Sequence, residues 1–109
     1  MSKLIWKPGN LIAPVPAAMV SCGTMEKPNI ITIAWTGNVS SSPAKVSISV
    51  RPERYSYGLI KESSEFVLNL TTAALVRAAD FCGVRSGREV DKFAQLGLTP
   101  LPAREVACP

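Results

Sequence analysis

Apolar positions in this chain come in short runs, and most of the runs have the spacing of strands. Ala17–Gly23 (AAMVSCG) is a nearly unbroken apolar run, as a strand covered on both faces requires. Ile30–Thr36 (IITIAWT) is β-branched and aromatic and gives the strongest strand signal. Ala44–Val50 (AKVSISV) alternates apolar and polar residues, the mark of a half-buried strand. Glu65–Leu70 predicts a fourth strand, and Arg104–Pro109 the start of a fifth. Met25–Asn29 is mostly polar with a proline and predicts a hairpin loop. Gly37–Pro43 (GNVSSSP) predicts a loop long enough to touch a ligand.

Three helices are expected. Ser56–Lys61 predicts one or two turns, with Ser56 or Tyr55 near the cap. Ala73–Phe81 follows a Thr71-Thr72 cap and is stopped by Gly83. Glu89–Leu96 is stopped by Gly97, and Arg85–Arg88 before it is a turn. Leu4–Asn10, Pro14–Pro16 and Leu98–Ala103 are extended, since proline lacks a donor and restricts its neighbour. Four strands and a fragment fall short of the roughly six that close a barrel. The pattern therefore predicts an open edge paired with another copy, or the front part of a longer domain.

Composition narrows the function. At 109 residues the chain, 1–109, is one domain, and 47% apolar residues suffice for a core. Charged residues make up 18%, below the usual share of about 25%, so a partner or cofactor is expected to cover some surface. The net charge is +4, but the lysines and arginines are scattered and form no basic arm. Nucleic acid is not the expected partner; a small anionic ligand accounts for the excess more economically. Three cysteines without paired spacing argue against a disulfide framework. With no histidine, a zinc site and a histidine-dependent triad are not expected, and the cysteines read as buried reduced thiols. No apolar window reaches the length of a membrane span. The stretch Leu4–Trp6 is too short for a signal peptide, so a cytoplasmic location is expected.

Two segments carry the candidate chemistry. Arg54–Ile60 and Cys82–Phe93 each place a hydroxyl and cations at an expected helix start, where free N–H groups and the dipole suit a phosphate. Ser56 is the better anchor, aided by Arg54, unless it is a plain N-cap. Ser86, Gly87 and Lys92 form the second cluster: Gly87 permits close backbone approach and Lys92 offers a compact ammonium. The alternative for Lys92 is an ion pair with Glu89. Cys82 is expected to pack beneath this cluster rather than to act as a redox thiol. No catalytic residue is assigned.

Five segments, in order, resemble one family: Pro14–Gly23 (PVPAAMVSCG), Pro28–Trp35 (PNIITIAW), Pro43–Ser56 (PAKVSISVRPERYS), Phe66–Leu70 (FVLNL) and Cys82–Phe93 (CGVRSGREVDKF). Each alone is weak; five at the right spacing are specific. The chain resembles the flavin reductase-like, FMN-binding split-barrel proteins, most closely their flavoredoxin branch. The resemblance implies a mainly β fold with short helices, a Greek-key split barrel of which this chain is the N-terminal part, ending before the C-terminal strands. It implies FMN rather than FAD, NAD(P)H or a redox protein as electron source, and a homodimer with flavin near the interface. It places Asn29 at the flavin's polar edge, and Thr32, Ala34 and Trp35 around the ring. Thr36 begins a covering loop, and Ser49, Val50 and Arg51 hold the ribityl chain or ring edge. A non-enzymatic FMN electron carrier, or a fragment that binds no flavin unaided, remain the alternatives.

Overall fold

A computed structural model describes all residues, Met1–Pro109. Five strands are present: β1 Ala18–Gly23, β2 Pro28–Ile33, β3 Thr36–Ser41, β4 Ala44–Ile48 and β5 Val67–Leu70. Three helices join them: α1 Tyr55–Ser63, α2 Val76–Val84 and α3 Lys92–Leu96, with a 3₁₀ turn at Ala73–Leu75.

The apolar run of β1 lies in the middle of a three-stranded sheet, flanked antiparallel by β2 and β5. Central position explains why Ala18 to Cys22 are all buried. Alternation along the strands then builds two cores. Met19 and Ile30 pack on one face with Ala79, Cys82 and Phe93 of α2 and α3. Val20, Ile31 and Ile33 pack on the other, against Ile48, Val50 and Phe66. Gly23, at φ +86°, closes β1; a Cβ there would stand 2.6 Å from the Lys27 carbonyl oxygen.

Several expectations are corrected. Gly37–Ser41 is not a loop: it belongs to β3, paired antiparallel with β4 through an irregularity between Asn38 and Ser40. Its serines and asparagine lack strand propensity, but the neighbouring strand satisfies their backbone. Glu65 and Phe66 precede β5, and Ala73–Leu75 is 3₁₀ rather than α. Gly83 does not stop α2, which runs to Val84; it faces Thr32, whose Cβ would make an ordinary 3.4 Å contact with an added methyl. Glu89–Val90 lie outside α3, which starts at Lys92 under an Asp91 cap whose carboxylate accepts the Ala94 N–H at 3.1 Å. Arg104–Pro109 forms no strand, although Cys108 is buried and Ser21 Oγ donates to the Pro109 carbonyl at 2.5 Å.

No helix is long and apolar enough to cross a membrane. All three cysteines are buried and free, in accord with their odd count.

Candidate functional site

Two clefts, of about 240 and 230 Å³, meet beside β2 and share Ile31 and Arg54 in their walls. Together they reach the size of a small-molecule site, roughly 300–1,000 Å³. The first is bounded by Thr32, Ile33, Ala34 and Trp35 on one side and Ser49, Val50 and Arg51 on the other. These segments are tied directly: the Ser49 N–H donates to the Trp35 carbonyl at 2.9 Å. Trp35 sits in the bend between β2 and β3 and is 47% exposed, so it is not a core residue. Thr32 donates its hydroxyl to the Ala79 carbonyl, which turns that side chain toward α2 and leaves its backbone to line the cleft.

The second cleft is polar. Arg54 to Ser56 form one wall, at the start of α1, and Ser86 to Glu89 the other, with Lys92 at the base. Lys92 is 4% exposed. Its Nζ donates to the Ile30 carbonyl at 2.8 Å and to the Cys82 carbonyl at 2.9 Å. An ammonium has three protons, so one remains for a ligand. Burial lowers the Lys92 pKa from its usual 10.5; the Cys82 and Cys22 thiols pull it partly back, and Arg54 pushes it lower. An anion bound in the cleft would raise it again. The expected alternative, an ion pair with Glu89, is absent.

Ser56 is the second residue of α1 and is not its cap; the N-cap is Arg54, which makes no side-chain cap bond. The Ser56 hydroxyl is buried and accepts from Asn29 Nδ2 at 2.7 Å, and the same amide contacts Cys22 Sγ at 3.7 Å. Asn29 stands directly across from Cys22 in the sheet, which fixes this geometry. Burial raises the Cys22 pKa from 9.0, partly offset by hydrogen bonds from Asn29 and Ser56. Burial likewise raises Cys82, opposed by the Lys92 charge. These thiols are protonated packing groups, as expected for Cys82, rather than activated nucleophiles.

Ten residues singled out from sequence thus meet in one joined cleft: Thr32, Ala34, Trp35, Ser49, Val50, Arg51, Ser56, Ser86, Gly87 and Lys92. Asn29 lies behind the polar cleft and lines neither half. Thr36 also lines neither; its hydroxyl donates to the Ser47 carbonyl at 3.0 Å, inside the β3–β4 hairpin. Ser86–Arg88 is a turn, not a helix start, so its contribution to an anion site is side-chain charge and N–H groups of the turn. Arg51 pairs with Glu53 at 2.7 Å near the rim. Sequence reasoning did not single out Ile31, Arg85 and Arg88 as site residues. The two arginines flanking Ser86-Gly87 were the available signal.

The polar half carries four cations, Arg54, Arg85, Arg88 and Lys92, against two carboxylates, Glu53 and Glu89. The other half offers an aromatic ring and aliphatic walls. The pair suits a ligand with a flat, largely apolar body and an anionic tail. No cluster of potential metal-ligating side chains is present.

Known proteins with this sequence and shape are informative. Residues 12–109 match the flavin reductase like domain. An uncharacterized protein of Archaeoglobus fulgidus is 34% identical over 85 residues, which span 78% of this chain and 48% of that protein. The structure of flavoredoxin from Desulfovibrio vulgaris (Miyazaki F) superposes with a TM-score of 0.89 at 37% identity, over 99% of this chain and 60% of that one. An FMN-binding protein from Thermus thermophilus superposes with a TM-score of 0.82 over 99% of this chain and 61% of that one; at 22% identity it shows the shared fold alone. The architecture is therefore the mostly β split-barrel type with short helices, and the chain spans about half to three fifths of these relatives' lengths.

Proposed function

Because the chain belongs to the flavin reductase-like family, we propose that it binds FMN in the joined cleft and serves electron transfer to or from that flavin. The observation that carries this reading is the continuity of the two halves: an aromatic, aliphatic cleft and a cationic one share Ile31 and Arg54. An isoalloxazine ring, a ribityl chain and a phosphate have the same order of chemistry.

In this reading Trp35, Ala34 and Val50 border the ring, and Ser49 and Arg51 serve its polar edge or the ribityl chain. Lys92, Ser86, Gly87 and Arg54 hold the phosphate. Lys92 gives a fixed donor: its two carbonyl bonds hold the ammonium in place, so little is lost in ordering it on binding. Ser56 has its hydroxyl engaged by Asn29 and Cys22, so what it offers the phosphate is the backbone N–H of the first turn of α1. The bound flavin would supply the hydride and electron chemistry. The chain has no histidine, and its two cleft carboxylates lie at the cationic end, so the residues here position and exclude water rather than move protons. NAD(P)H or a redox protein is the proposed electron source. A homodimer is proposed to cover apolar side chains exposed along the amino-terminal segment, such as Leu4, Ile5 and Trp6.

Titration with FMN followed by flavin fluorescence tests binding; saturable quenching is expected, and fluorescence unchanged at high protein concentration overturns it. Anaerobic addition of NADH or NADPH to the complex then tests the reductase reading. Bleaching supports it, whereas a flavin band that persists with both nucleotides assigns the chain a carrier role.

A further inference from the structure

Residues 1–16 are exposed and belong to no helix or strand. Their one backbone hydrogen bond runs from the Leu11 N–H to the Gly9 carbonyl at 3.0 Å and closes a tight bend with Asn10 at its tip. That tip lines the aromatic half of the cleft, together with Trp35 and Arg51. Pro14 and Pro16 stiffen the link from the bend to β1, the central strand of the sheet. A short, restricted tether therefore keeps Asn10 beside the cleft.

The aromatic half has few uncommitted polar side chains. The Thr32 hydroxyl donates to the Ala79 carbonyl, and Arg51 is paired with Glu53. The two guanidiniums, Arg51 and Arg54, and the Trp35 indole can only donate. The sequence resemblance sets an amide, Asn29, at the flavin's polar edge, but that amide is bonded to Ser56 and lines neither half of the cleft. The one carboxamide on the aromatic half is that of Asn10, which is exposed and bonded to nothing else in the chain. The pyrimidine end of an isoalloxazine presents a carbonyl, an N–H and a carbonyl in a row. A carboxamide holds a donor and an acceptor side by side in one plane, so it can pair with two neighbours in that row. A cation can meet only the carbonyls, and a hydroxyl such as that of Ser49 offers both functions from a single atom.

We infer that Asn10 reads the edge of the flavin ring, its amide pairing with the ring N–H and an adjacent carbonyl. The inference rests on the flavin reading above and gives the amino-terminal bend a part in ring recognition, separate from the cations that take the phosphate. The bend is exposed and must be ordered on binding, so the net gain is that of a single neutral hydrogen bond. The larger effect falls on analogues. An acceptor that meets a ring N–H is left unpaired, and crowded, when that N–H is replaced by an alkyl group.

The test is equilibrium fluorescence titration of the wild-type chain and Asn10→Ala with FMN and with FMN methylated at the ring N–H. The wild type is expected to bind FMN at least about fivefold tighter than the methylated flavin. Asn10→Ala is expected to bind FMN about three- to tenfold more weakly, the worth of one neutral hydrogen bond, and to narrow the preference by at least about threefold. The variant alters an exposed side chain and keeps the Gly9–Leu11 bond, so the fold is left intact. The preference is moreover a ratio within one protein, which a partly unfolded sample does not change. Equal wild-type affinity for the two flavins overturns the inference alone, as does a preference unmoved in Asn10→Ala. Failure of the wild type to bind FMN overturns the flavin reading itself.

Discussion

Asn29 donates its amide to the Ser56 hydroxyl at 2.7 Å, and both residues are buried. This bond joins β2 to the first turn of α1, so it sets the position of one wall of the cationic cleft. Removing either partner strands a buried polar group at a cost of about 1–3 kcal/mol. Ser56→Ala and Asn29→Ala should each lower unfolding free energy by that amount in urea titrations. The double variant should lose less than the sum, with a coupling of about 0.5–3 kcal/mol. Strict additivity would show that the two groups do not act as a pair.

Lys92→Ala should weaken FMN binding by about 1–2 kcal/mol, the worth of a charged hydrogen bond. Fluorescence titration reads this directly, and unchanged affinity would place the phosphate elsewhere.

The glycines Gly83 and Gly87 should respond oppositely to alanine. At Gly83 a methyl makes ordinary contact with Thr32 at 3.4 Å. The gain in helix propensity should stabilise α2 by about 0.5–1 kcal/mol. At Gly87 the methyl strikes Tyr55 and the Asn29 amide oxygen. Overpacking there should cost about 1–3 kcal/mol. Thermal denaturation of the two variants checks the contrast, and a tolerated Gly87→Ala would mean that the turn and the Tyr55 ring move apart easily.

Stability should fall as pH rises above 9. Burial holds Cys22, Cys82 and Cys108 protonated above their usual 9.0. The unfolded chain therefore loses those protons first, and the stability they contribute is lost as pH rises from 9.0 through the folded values. Each thiol contributes a slope of at most about 1.4 kcal/mol per pH unit. Lys92 works the other way. Its folded pKa lies below 10.5, so the penalty for charging it is relieved as pH rises through that window. Lys92→Met, which removes the opposing group, should steepen the decline. Urea midpoints measured at pH 8, 9 and 10 test both statements; a midpoint rising with pH would contradict them.

Glu53→Gln should leave stability within about 0.5 kcal/mol, because its ion pair with Arg51 is exposed on both sides. It should also free Arg51 at the cleft rim and tighten FMN binding modestly at low salt, an effect that fades as ionic strength rises.

The strands that build the cores were legible because their apolar runs are local. Ala18–Cys22 and Ile30–Ile33 need no knowledge of their neighbours to be read as buried. β3 was not legible: Gly37, Asn38 and Ser40 have poor strand propensity and are held by β4, a tertiary override of local preference. Ten of the expected residues line the joined cleft: the resemblance pointed to Thr32, Ala34, Trp35, Ser49, Val50 and Arg51, and anion chemistry to Ser56, Ser86, Gly87 and Lys92. The roles of Asn29 and Ser56 were not legible, since their bond joins residues 27 apart in sequence, and only the fold brings them together. Lys92 was recognised as a cation, but its carbonyl partners, Ile30 and Cys82, follow from the docking of α3 beside β2.

The bond from Lys92 to Ile30 has a second consequence. β2 is an outer strand of its sheet, paired only with β1, and a bare strand margin invites another chain to add itself. With the Ile30 carbonyl already taken by a buried ammonium, self-templated growth is blocked at that position. The side chain proposed to grip the cofactor thus also covers an acceptor on a sheet edge, and its loss would leave both without a partner.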